Sequence, residues 1–74
     1  MSLIQQARIA AQWSDAMTNV AKRAANPETV ENPALLAQFN VEMYNASTAY
    51  QLTVRTIQDL HREDQLLSEL LRDA

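Results

Sequence analysis

At 74 residues, with no cysteine, no glycine and a formal charge of −3, the chain has room for one small domain with few means of stabilising itself. The absence of thiols excludes disulfides, a lone His61 cannot complete a metal site, and an acidic balance disfavours a nucleic-acid surface. With no glycine to supply positive φ, tight β-hairpins and phosphate-cradling loops are nearly excluded, so the expected fold is all-α, with partner chains adding stability.

The first helix is expected over about residues 2–25. Ser2-x-x-Gln5 has capping-box spacing at its start, and Asn26-Pro27 stops it, because a residue before proline avoids the α conformation. Ile9, Trp13, Met17, Val20 and Ala24 recur every three or four residues and form one apolar face, with Arg8, Gln12, Asp15, Asn19 and Lys22 largely elsewhere. The connector is expected over about 26–32, marked by Asn26, Pro27, Asn32 and Pro33. Asn32 reads as an N-cap and Pro33 as the first residue of the next helix.

The second helix is expected over about 33–74, with nothing to interrupt it after Pro33. At about 1.5 Å per residue it would span roughly 60 Å. Steps of three and four from Leu36 reach Phe39, Met43, Ala46, Tyr50, Thr53, Ile57, Leu60, Asp64, Leu67, Leu71 and Ala74. Only Thr53 and Asp64 break that heptad seam. The two seams predict a two-helix antiparallel hairpin, a single unit over 1–74, packed through Trp13, Met17, Val20, Leu36, Phe39, Met43, Tyr50 and Ile57.

The two helices differ in length. Given equal rise, the first covers the second only to about Ile57. Leu60, Leu66, Leu67, Leu70 and Leu71 then lack an intramolecular partner. Burying one leucine fully is worth about 1.5–3 kcal/mol, so this overhang is expected to dock on another chain. Tyr44 lies off the seam and is the aromatic candidate for a contact between chains.

No catalytic or cofactor-binding constellation is evident. His61 sits in a charged stretch with Asp59, Glu63 and Asp64, which reads as a solvated helix face rather than a catalytic or metal site. Asp64, on the seam, either sets register between chains or faces water. Asn45-Ala46-Ser47 matches a glycosylation sequon by chance, mid-helix. Trp13, Phe39, Tyr44 and Tyr50 fall at helical spacing in an acidic chain, which points to packing and not to base stacking. No apolar run approaches the roughly 18 residues of a membrane span. The start, Met1-Ser2-Leu3-Ile4-Gln5-Gln6, lacks the pattern of a cleaved secretory signal, which leaves the cytoplasm or export by another route.

Residues Glu31 to Tyr44, ENPALLAQFNVEMY, resemble the loop and second-helix start of type III secretion needle subunits, where an Asn/Asp-Pro turn precedes leucines and a segment with glutamine and tyrosine. Val54-Arg55-Thr56-Ile57-Gln58-Asp59-Leu60 resembles the same family's aliphatic-Lys-x-Ile-Lys-Asp stretch, with Gln58 in place of its usual second lysine. Inner-rod subunits of the same apparatus are also similar, with an Asp/Asn-Pro turn and an ending like Ser68-Glu69-Leu70-Leu71-Arg72.

The resemblance implies a subunit that polymerises with copies of itself into a hollow helical filament. It also implies other apparatus subunits and dedicated chaperones as partners before export, and secretion from the bacterial cytoplasm to the surface without a cleaved signal. In such a filament the second helix faces the channel, where Arg55, Gln58 and Arg62 would line it or be merely solvated. A different class, a soluble helical-hairpin co-chaperone that masks a partner's amphipathic helix, accounts for the exposed leucines as well.

Overall fold

The computed structural model describes residues 2–73. Over them the protein is all-α, with helices α1 (Leu3–Ala24), α2 (Pro27–Val30) and α3 (Pro33–Asp73), and no strand among the described residues. The molecule is a rod of 64 × 15 × 15 Å, its length set by α3, with α1 packed back along it.

Three side chains start the three helices. The Ser2 hydroxyl accepts from the Gln5 N–H at 3.0 Å while the Ser2 N–H donates to Gln5 Oε1 at 3.4 Å, a closed capping box. Asn26 Oδ1 accepts from the Glu28 N–H at 3.0 Å. Asn32 Oδ1 accepts from the N–H groups of Ala34 and Leu35 at 3.1 and 3.3 Å. Each satisfies an amide that the first turn of a helix leaves free, and Pro27 and Pro33 stand where no N–H is needed. At its other end α1 carries Lys22 and Arg23, whose positive charge suits the carbonyl end of a helix.

The connector differs from the expected loop over 26–32. Its middle, Pro27–Val30, is a turn of helix, because Asn26-Pro27 is the same starting device as Asn32-Pro33. Thr29 on this turn is buried, and α2 packs beside α3.

That turn shifts the register. Arg23 on α1 pairs with Glu42 on α3 at 3.2 Å, well beyond the first turn of α3, since α2 takes up the space alongside that turn. Equal rise then puts Leu3, where α1 starts, level with about Arg62. Leu60, expected in the overhang, is half-buried, and the uncovered part of α3 begins at about Glu63.

The core is thin, as two helices facing each other can bury only one stripe apiece. Ala10 and Val20 of α1 and Ala46 of α3 are buried, and among the described residues no large side chain is fully enclosed. Small residues at these points let the helices approach closely. Thr53, which breaks the apolar seam in the sequence, is buried among the seam residues. Its hydroxyl donates to the Ala49 carbonyl at 2.8 Å and so needs no partner across the interface. Gln6 is buried as well, at a position where polarity predicts exposure.

Candidate interaction surface

The residues assigned to packing inside the hairpin divide by depth. Val20 is buried, while Met17, Leu36, Phe39, Met43, Tyr50 and Ile57 are half-buried. Trp13 remains 38% exposed despite its place on the α1 seam. Arg55, Gln58 and Arg62 are exposed and follow one another by about one turn of α3. The Asn45 amide is exposed beside the buried Ala46.

Beyond α1, the overhang of α3 presents Leu66, Leu67, Leu70 and Leu71, each between 54% and 71% exposed. Their spacing places them on one arc of the helix, wide enough to bury against a neighbour. The opposite arc is polar: His61, Asp64, Gln65, Ser68, Glu69 and Arg72 border a shallow dip. A dip walled by one exposed helix encloses nothing, and among the described residues no group of three or more acidic or histidine side chains converges as metal ligands would.

A second feature lies inside the hairpin's length. Trp13, Ala16, Asn19, Val20 and Arg23 of α1 face Glu42, Asn45 and Ala46 of α3 across an open groove. Its floor is the buried pair Val20 and Ala46, and Trp13 forms one wall. The Arg23–Glu42 ion pair bridges it, and the Arg23 guanidinium also lies over the Phe39 ring, 5.1 Å from the centroid. Val41 and Leu52, both about 60% exposed, share Asn45's side of α3 by steps of four, three and four through Asn45 and Thr48. Tyr44 is 72% exposed, further round the same helix.

Seam counting points neither to the groove nor to Val41 and Leu52. The 41-45-48-52 spacing was readable, but two polar members hide it in an apolar count. Among the described residues no helix is long and apolar enough to cross a membrane. Comparison with protein-family models, with curated proteins and with solved structures finds no match.

Proposed function

We propose that the chain is the structural subunit of a type III secretion needle, polymerising into a hollow filament through which other proteins are exported, and that it catalyses nothing. One observation carries the assembly: the end of α3 outruns α1 and exposes four leucines on one arc. Burial of several such side chains is worth several kcal/mol, and monomers rarely leave a contiguous patch of this kind bare. The identity of the filament rests on the resemblance of residues 31–60 to needle subunits, whose inner-rod relatives share the Asn-Pro turn and the leucine-rich ending.

In this reading copies of the chain are its main partners, and it leaves the bacterial cytoplasm without a cleaved signal. Repeated heterologous contacts that do not close into a ring give an open filament, the geometry a conduit needs. Arg55, Gln58 and Arg62 then face the channel as a polar, largely cationic lining.

The test is negative-stain microscopy of the purified protein at rising concentration. Needle subunits give extended hollow filaments. A discrete complex of fixed size at every concentration overturns the reading in favour of the co-chaperone class.

A further inference from the structure

We infer that Met17 and Met43 form an oxidation-sensitive lock on the hairpin: oxygen transfer to their sulfurs by a hydroperoxide loosens α1 from α3, and reduction closes the pair again. The inference goes beyond the needle reading and does not depend on it, because it concerns the fold of a single chain.

Val20 of α1 and Ala46 of α3 are 5% and 4% exposed and together form the floor of the groove. Met17 stands one turn before Val20, and Met43 one turn before Ala46. Because α1 and α3 run in opposite directions, the two methionines fall on opposite sides of this contact and bracket it. With no cysteine in the chain, they are the sulfur atoms that the described residues offer to an oxidant.

Both side chains are half-buried, so an oxidant reaches them without prior unfolding. That access follows from the thin core, in which two facing helices bury one stripe apiece. Both also stand in the seam, where a new polar group is costly. A thioether is apolar and flexible and fills irregular space there. A sulfoxide is polar and chiral, and its oxygen requires a hydrogen-bond donor. The N–H groups on either side are already engaged within α1 and α3. The new oxygen therefore either stays unpaired in the seam or moves the helices apart to reach water. Ala10, Val20 and Ala46 are the buried apolar residues described, so losses on both sides of the Val20–Ala46 contact have little core to offset them.

The step needs only a hydroperoxide such as hydrogen peroxide. A sulfur lone pair attacks one peroxide oxygen, the O–O bond breaks, an S–O bond forms and water leaves. Sulfur gives up two electrons and the peroxide takes them. Reversal consumes two thiols, which become a disulfide while the oxygen departs as water. The chain has no thiol, so that reductant is external, of the class used by methionine sulfoxide reductases.

The test treats the full chain with hydrogen peroxide, locates the added oxygen by peptide mass mapping, and follows urea unfolding by circular dichroism at one fixed protein concentration. Oxidation of both methionines is expected to lower the ratio of folded to unfolded chain by about 5–30-fold. Methionine sulfoxide reductases with dithiothreitol should restore it. Met17→Leu with Met43→Leu, a swap that cores tolerate well, should unfold like the parent both before and after peroxide. The two single leucine variants, each expected to lose part of the sensitivity, carry the same test if the double variant fails to fold.

Unchanged unfolding of the doubly oxidised chain overturns the inference. An equal peroxide effect in the leucine variants does so too, because it places the damage elsewhere. Methionines that react only in denaturing urea also refute it, since the lock would then lie out of an oxidant's reach.

Discussion

The Arg23 guanidinium lies 3.2 Å from the Glu42 carboxylate, and among the described residues this is the ion pair that ties α1 to α3. The same guanidinium covers the Phe39 ring, so one side chain joins two consecutive turns of α3 to the end of α1. Both partners are substantially exposed, which holds an ion pair of this kind to about 0.2–1 kcal/mol. Its structural importance lies in register, since a slide of α1 by one turn would remove both contacts together.

Arg23→Ala is accordingly expected to destabilise the hairpin by about 1 kcal/mol, combining an exposed ion pair with a cation–π contact of about 0.5–1 kcal/mol. Glu42→Gln, which spares the Phe39 contact, should cost about half as much. Urea unfolding at one fixed protein concentration measures both, because association would shift the midpoint otherwise. Equal losses from the two substitutions would show that the Phe39 contact contributes nothing.

The cap residues give a graded series. Asn32→Ala removes the acceptor that holds the N–H groups of Ala34 and Leu35, and should cost about 0.5–2 kcal/mol, as caps commonly do. Asn26→Ala frees one N–H of the single turn α2 and should cost less, with the added effect of loosening α1's register on α3. Thermal melts followed by circular dichroism give the order, with Asn32 ahead of Asn26.

The starts of α1 and α3 and the seam are legible in the sequence, because caps, prolines and heptad spacing act locally. The helical character of Pro27–Val30 was equally written in Asn26-Pro27. One turn carries no periodicity, so pattern alone makes this stretch a loop. The extra turn displaces the register, which is why Leu60, expected in the overhang, is half-buried. Thr53 looked like a defect in the seam since sequence shows a hydroxyl but not its bond to the Ala49 carbonyl. The groove was illegible for a different reason: it is a space between two helices, fixed by their register and by the small size of Ala16 and Ala46.

Small size at the helix contact makes its own prediction. Ala46 is 4% exposed, so Ala46→Leu forces α1 away from α3 and should destabilise by about 1–3 kcal/mol. Thr53→Val should change stability by less than about 1 kcal/mol. The lost hydroxyl bonds only its own helix, and the shape is kept. Denaturant midpoints of the two variants, read side by side, test whether close approach or seam chemistry limits the core.

The end of α3 separates folding from assembly. α1 reaches only to about Arg62, so the residues beyond it contribute little to the hairpin, and their removal should leave the hairpin's melting nearly unchanged. Deleting Leu66 to Ala74 should abolish polymerisation while circular dichroism still reports a helical hairpin. Leu67→Asp with Leu71→Asp should give a milder form of the same defect, because Leu66 and Leu70 keep part of the apolar arc. The critical concentration for filaments, measured by sedimentation, should therefore rise from parent to double aspartate, and filaments should vanish in the deletion. Normal filaments from the deleted chain would show that copies associate through the body of the hairpin, with Tyr44, Val41 and Leu52 as the exposed apolar residues left to do it.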